Sequence, residues 1–431
     1  MGKDYYLCLS QDEKKYFTLP DGWVPLHFVE AKEAPVKASI EQMTLEALSK
    51  PVGTPSLKEI VARAKSVAII VDDATRPTPV AEILNVLIAR LTDSGFSDEK
   101  ITIVLAIGTH PPLEKEVLET RIGSGILSRY KVVQHDAWQS DLAPVQLPGK
   151  DRVVRISPAV AQADLKIGIS SVLPHPMAGY GGGPKIVMPG VCSFEFIRDH
   201  HTRHVLHPRS TAGVTQGNPF HEGCLEVARA VGLNFSINCV YDRQGRVVRI
   251  IGGSLEAAFG EAVKNCFEIL GHRFQEKVDV TITSTYPHTH GHQFFKGLSA
   301  PNVVTKPTGA VLLVAPVVTP VPAEFLASID VIKEKSGGNP GPYVEDKLSK
   351  GMAFLPDKPM DYNMAMTGVF LRPKIKVKLV SPAISAKEAE TMGLDYSTSV
   401  EEALKSLKKS YPAARVAIFP SGGLIVPITD W

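Results

Sequence analysis

Cysteine is scarce in this 431-residue chain and does not pair off: Cys8, Cys192, Cys224, Cys239 and Cys266 are odd in number and show no CxxC spacing. That argues against a disulfide framework or a structural zinc site, and it fits a reducing compartment. Long apolar runs are missing too: no stretch reaches the roughly 20 residues that span a bilayer. The start, MGKDYYLCLSQDEKKYF, is charged throughout and has no apolar signal core. A cytoplasmic location without membrane contact is therefore expected. Neither sign of charge dominates, because 47 basic residues face 45 acidic ones for a net charge of +2, with no basic run. Such a balance gives no support to nucleic-acid binding and points to a small-molecule protein. Two nucleotide signatures are also lacking. No GxGxxG follows the first apolar strand, so ordinary NAD binding is unsupported. The nearest approach to a Walker A loop has Pro184 between its glycines and Lys185, with Ile186 where the Mg²⁺-binding hydroxyl residue belongs.

What is present is a chain long enough for two domains, with 44% hydrophobic and 21% charged residues, as in ordinary globular proteins. Residues 4–26 read as a short β element at a structural edge. SLKEIVARA from Ser56 has helical periodicity behind a serine N-cap. Val67–Val71, ITIVLAIG from Ile101 and DLKIGIS from Asp164 are compact apolar runs of the kind that form buried parallel strands. Each delivers polar residues at its carboxyl end: Asp73 and Arg76, then His110, then His175 and Lys185. Strand–helix alternation of this kind predicts Rossmann-like, mostly parallel sheets, and ligands bind outside the carboxyl ends of such strands. A helix over about 254–270 closes the first set, and VDVTITST opens a second, continued by GAVLLVAP, KIKVKLVSP and ARVAIFP. The expected architecture is thus two α/β domains, 1–272 and 273–431, with an active-site cleft between them.

The stretch Ser170–His201 concentrates the chemistry. His175, Gly181, Gly182, Gly183, Lys185, His200 and His201 fall within one supersecondary unit. Glycines let a backbone approach a bound group closely, and the lysine amine beside them suits a phosphate contact or a covalent bond to a cofactor. Twelve of thirteen histidines lie between His110 and His292, and histidine is both a common metal ligand and the usual neutral-pH acid–base group. His27, His135, His204, His207, His221 and His272 are read as ordinary hydrogen-bonding residues. HTHGH (His288, His290, His292) stays open between a metal clamp and hydrogen bonding in a cleft. Arg76 with Asp73 is open between a turn-fixing ion pair and an anion contact. Gln293 and Lys296, one turn apart, are expected to face the same cleft from the second domain. Such a pocket suits an anionic organic acid that gains and loses protons. Three readings fit it: a racemase or epimerase, a zinc-dependent metallohydrolase, and a cofactor-free binding protein for anionic metabolites.

Several pieces occur together in one order: DDATRPTP, the strand-end GTH, HPMAGYGGGPKIVMPG with its distal histidine, the GNP at Gly217–Pro219, YP followed by HQFFKG, and SGG near the C-terminus. In these the chain resembles the nickel-dependent lactate racemase family of 2-hydroxyacid racemases and epimerases, and the resemblance runs over nearly the whole length. It implies a nickel-pincer nucleotide (a pyridinium thioamide/thiocarboxylate mononucleotide) tethered to Lys185, with His201 on nickel, or His200 if the register slips by one. It implies His110 and His175 as paired acid–base groups, and Asp73, Arg76 and Gly181–Gly183 around the cofactor. Arg76, His292, Gln293, Lys296 and Tyr362 would bind substrate. The implied reaction inverts C2 of a 2-hydroxy acid by hydride transfer to and from the cofactor, which accessory enzymes must supply. Departures from the family pattern at Pro111, His292, Tyr362 and the loop Pro287–Gly291 make the pocket more polar, so a larger or hydroxylated acid, such as a sugar acid, is expected as readily as lactate.

Overall fold

The computed structural model describes residues 4–371 and 375–429. Its strands, in chain order, are β1 (Asp4–Cys8), β2 (Lys14–Thr18), β3 (Trp23–Phe28), β4 (Val67–Asp72), β5 (Ile101–Ala106), β6 (Lys131–Gln134), β7 (Ala143–Gln146), β8 (Val153–Ile156), β9 (Leu165–Val172), β10 (Pro174–His175), β11 (Gly179–Tyr180), β12 (Phe235–Tyr241), β13 (Val247–Gly253), β14 (Gly271–Phe274), β15 (Val278–Ser284), β16 (Thr305–Val314), β17 (Lys376–Val380), β18 (Asp395–Tyr396), β19 (Ala414–Phe419) and β20 (Val426–Thr429). Every residue of β4 and of β9 is buried. That is why these strands read as continuous apolar runs rather than alternating ones: helices cover both faces of the sheet.

The first sheet runs β13–β12–β9–β4–β5–β6. β12 and β13 are antiparallel, and the other pairs are parallel. In order of appearance this is the doubly wound arrangement, and β4 and β9 flank the point where the winding reverses. Ile69, Ile103 and Ile167 pack on one face, and Ile70, Val104 and Ile186 on the other. The second sheet, β18–β17–β16–β15–β19–β3, is parallel throughout. Its reversal lies between β15 and β19.

The mostly parallel α/β class is as expected, but a single cut at residue 272 does not describe the chain. The N-terminal element does form an edge, yet β3 pairs with β19 and belongs to the second sheet. Tyr5, Leu7, Phe17 and Trp23 share a core with Val280, Leu312 and Ile418. The Trp23 indole donates to the Tyr411 carbonyl at 2.8 Å. These apolar side chains find no open face on the first sheet, which its own helices already cover. The chain returns at β14, whose parallel pairing with β20 ties the crossover to the C-terminal segment. Among the described residues no helix is long and apolar enough to cross a membrane.

Candidate active site

The carboxyl ends of β4, β5 and β9 and the segment beyond β15 open onto a cavity of about 410 Å³, lined among others by Asp73, Arg76, His110, His175, Lys185, His201, Gln293 and Lys296. β4 lies between β5 and β9. The strands that carry His110 and His175 are therefore about 10 Å apart at two strand spacings, which leaves room for a small molecule between them.

The turn after β4 is held from beneath. The partly buried Arg121 pairs with the Asp72 carboxylate and donates to the carbonyls of Asp72 (3.0 Å), Arg76 (2.9 Å) and Thr78 (2.7 Å). Asp72 also accepts from the Thr78 hydroxyl at 2.7 Å and from the Ser171 amide at 3.0 Å, which fastens this turn to β9. Asp73 is thereby aimed sideways. One of its oxygens accepts from the Thr75 amide at 2.8 Å, and the other meets His110 Nδ1 at 2.5 Å. Of the two readings for Arg76, the turn-fixing ion pair is not formed. The guanidinium donates instead to the Thr75 hydroxyl at 3.0 Å and lines the cavity.

The two histidines are tuned in opposite directions. Burial opposes charging His110, but the Asp73 carboxylate outweighs it, by charge and by hydrogen bond, and raises the imidazole above its ordinary value. The same partnership holds the buried Asp73 carboxyl well below the usual range. With Nδ1 occupied by Asp73, Nε2 is the atom left for the cavity. His175 sits on the short hairpin β10–β11. Its Nδ1 accepts from the amides of Met177 (3.2 Å) and Ala178 (3.1 Å), which fixes the neutral tautomer with its proton on Nε2. Burial, reinforced by the positive charges of Lys185, Lys296 and Arg76, pushes its pKa well down. Pairs of titratable groups with pKa values pushed apart mark acid–base sites.

Gly181 and Gly182 line the cavity beside Lys185. Gly182 has φ +74°, and a Cβ there would lie 2.6 Å from the Ser171 carbonyl oxygen, so only glycine fits. Gly183 departs from the expected cradle. It faces away, pressed on Phe259, where a Cβ would come within 2.2 Å of the ring. The Lys185 amine stands 5.3 Å over the Phe220 ring, and burial, then Arg76, lowers its pKa.

His200 and His201 are adjacent on the helix Phe194–His204, so successive side chains diverge by about 100°. His201 faces the cavity; its Nδ1 donates to the Ile197 carbonyl at 2.9 Å, leaving Nε2 bare. Burial and Lys185 push its pKa down to about 3, so it is neutral at any physiological pH. His200 points elsewhere, with Nε2 3.1 Å from the Phe220 carbonyl oxygen, so of the two only His201 lines the cavity.

From the second sheet, the 3₁₀ helix Gly291–Leu298 carries Gln293 and Lys296. Three-residue turns eclipse i and i+3, so both side chains reach the cavity. Burial, then Arg76, brings the Lys296 pKa down to about 7. The HTHGH histidines do not converge: His290 is exposed, His288 is half-buried, and His292 turns to Asp361 at 2.9 Å. Among the described residues no three His, Cys, Asp or Glu side chains are grouped to hold a metal by themselves. Tyr362, expected at the substrate, is absent from the cavity lining and packs edge-on against Phe325 and His292. Its neighbour Asp361 lines the cavity instead. Sequence reading missed Asp361 and Arg121, for neither lies in a patterned stretch.

The fold and cavity define an α/β protein of two Rossmann-like sheets whose strand ends supply one polar, cation-rich pocket. Residues 11–213 match the family model described as the lactate racemase N-terminal domain. Lactate racemase of Lactiplantibacillus plantarum is 30% identical over 64% of this chain and 66% of its own length. Lactate racemase of Thermoanaerobacterium thermosaccharolyticum is 27% identical over 65% of this chain and 66% of its own length. The match thus spans just under two thirds of each relative. In fold, the structure of the lactate racemase apoprotein from T. thermosaccharolyticum is similar over 99% of this chain and 100% of that one, with a TM-score of 0.87 at 23% identity. A crystal structure of a protein from Thermotoga maritima follows at TM-score 0.64 and 18% identity, covering 94% of this chain. The chain thus carries a region similar to the lactate racemase N-terminal domain, within a fold similar to that of the lactate racemase apoprotein.

Proposed function

We propose that this protein is a racemase or epimerase that inverts C2 of a 2-hydroxy acid in the cavity between its two sheets. One observation carries the reading: His110 and His175 line one cavity from separate strands, their basicities driven apart, with the cations Arg76 and Lys296 beside them. The substrate carboxylate is held by Arg76, Gln293 and Lys296. His110, its Nδ1 proton held by Asp73, takes the C2 hydroxyl proton at Nε2 from one enantiomer, and Asp73 stabilises the resulting imidazolium. His175 serves the opposite face: its Nε2 hydrogen bonds the substrate oxygen, and it takes a proton at Nε2 once its own has moved to Nδ1 and the Met177 and Ala178 contacts have given way. The bound substrate anion offsets the cations that otherwise disfavour charging His175. Two bases are needed because each enantiomer presents its hydroxyl to a different one.

The residues fit the nickel-pincer nucleotide that the family resemblance implies. Lys185 offers a buried amine with lowered pKa, Gly181 and Gly182 leave room beside it, and His201 offers a single bare, neutral Nε2. Because no three His, Cys, Asp or Glu side chains among the described residues are grouped to hold a metal, a metal there would arrive with ligands of its own. When bound, the nucleotide would accept the C2 hydrogen with its electron pair and return it to either face. Accessory enzymes must provide it. Protein coexpressed with those enzymes should carry an added mass on Lys185 and exchange the C2 configuration of a 2-hydroxy acid. Lys185→Ala should lose adduct and turnover together, whereas His110→Ala should keep the adduct and lose rate. Loaded protein that binds such acids without inverting any of them would overturn the reading in favour of a binding protein.

A further inference from the structure

A carboxylate is an unexpected wall for a lactate pocket. Asp361 lines the cavity, and its helix, Met360–Phe370, begins against the loop that carries His110, with the Met360 amide 3.4 Å from the Thr109 hydroxyl. The side chain is fixed: one oxygen accepts from His292 Nε2 at 2.9 Å, the other from the Tyr362 amide at 3.1 Å. His292 is itself held by stacking on Phe325, centroids 4.8 Å apart. Burial alone would raise the Asp361 pKa, but the His292 hydrogen bond and the charges of His110 and Lys296 keep it low, so the group is anionic. Two carboxylate oxygens offer about four acceptor sites, and these partners leave some free toward the cavity.

Each candidate substituent beyond C2 can be weighed against that wall. A methyl group would displace water from the carboxylate without replacing its hydrogen bonds. A second carboxylate would meet like charge. An ammonium would suit Asp361 but would share the cavity with Arg76, Lys185 and Lys296. A hydroxyl is neutral and donates, and it alone satisfies both constraints.

We infer that Asp361 reads a hydroxyl on the substrate chain beyond C2, so that this site takes polyhydroxylated 2-hydroxy acids of the aldonic type in preference to lactate. The inference rests on the racemase reading and narrows it. A site built to hydrogen-bond a substrate hydroxyl strongly rejects the analogue that lacks it.

The test compares lactate with glycerate, which differs from it by one hydroxyl, and adds threonate and malate. Cofactor-loaded protein is scored for C2 exchange, and unloaded protein for binding by calorimetry. Glycerate and threonate should exceed lactate in kcat/KM by about 100-fold or more, with malate the poorest substrate and the same order in binding. Asp361→Leu should collapse the glycerate-to-lactate ratio to within about tenfold of unity, with Asp361→Asn between it and the parent. Lactate matching glycerate in the parent protein would overturn the inference while leaving the racemase reading intact. So would an equal loss on every acid in both variants, since that marks a merely structural role. Failure of loaded protein to exchange any acid would overturn the racemase reading and the inference with it.

Discussion

At the scale of single residues, the site depends on partners that never touch substrate. Asp73 is the clearest case. It raises His110, so the pair's contribution to stability is complete below the imidazole's unfolded value of about 6.5 and fades as pH climbs through the raised folded value. Asp73 is itself depressed, so its contribution is present above the unfolded carboxyl value of about 4 and is lost only in strong acid. Asp73→Asn should therefore cost stability at neutral pH and progressively less in alkali, as followed by urea unfolding across pH. In loaded protein the same change should lower the rate by about 100-fold or more. It should also move the acid limb of the pH–rate profile downward, because the unassisted imidazole sheds its proton at lower pH. Arg121 acts one step further back. Replacing it with methionine leaves Asp72 buried and unpaired, a loss of about 3–5 kcal/mol. Lysine should not restore it, since one ammonium cannot reach three carbonyls and a carboxylate at once; thermal unfolding of both variants tests this.

At the scale of elements, packing decides which of two adjacent histidines faces the cavity. The helix Phe194–His204 crosses the helix Pro219–Val231 at Gly223, where a Cβ would sit 2.6 Å from His200 Nε2. Alanine in a helix interior gains about 0.5–1 kcal/mol over glycine, but overpacking costs about 1–3 kcal/mol. Gly223→Ala should thus be destabilising overall, by chemical denaturation, and should turn the helix enough to weaken whatever His201 holds. The same scale explains what the sequence could reveal. Strands β4, β5 and β9 were legible because burial on both faces writes itself as an unbroken apolar run, and the polar residues at their carboxyl ends were legible by position. His110, His175, Lys185 and His201 all line the cavity. Gly183 and Tyr362 do not, since backbone direction and ring packing leave no trace in spacing. Asp361 stands in KPMDYN, a stretch with no periodicity, and only the closure of its helix on the His110 loop gives it meaning. The pairing of β3 with β19 links residues nearly the whole chain apart, beyond any local pattern.

At the scale of the whole molecule, the cavity is a joint product of the two sheets, and its charge follows from that. Arg76 and Lys185 come from the first sheet's loops and Lys296 from the second's. Bringing three cations into one desolvated space is costly, and the molecule lessens the cost by lowering Lys296 to about 7, with Asp73 and Asp361 holding it from falling further. Neither half alone would do this. Lys296 thus carries its proton below neutrality and sheds it above, so the acid-binding strength of the unloaded protein should be greatest in mildly acidic solution. Above the lysine's pKa, affinity for a 2-hydroxy acid should fall by up to about tenfold per pH unit, the limit for one linked proton. A bound carboxylate favours the ammonium and so raises its pKa, which makes the complex hold the proton to higher pH than the free protein does. Lys296→Met should bind more weakly at pH 6 and flatten the profile, whereas Lys185→Met should weaken binding yet leave a pH dependence, shifted upward because a neighbouring charge has gone. Calorimetric titration of glycerate at pH 6, 7 and 8 into the parent and both variants decides it. A parent affinity independent of pH over that range would remove Lys296 from the carboxylate site and leave Arg76 as its cation.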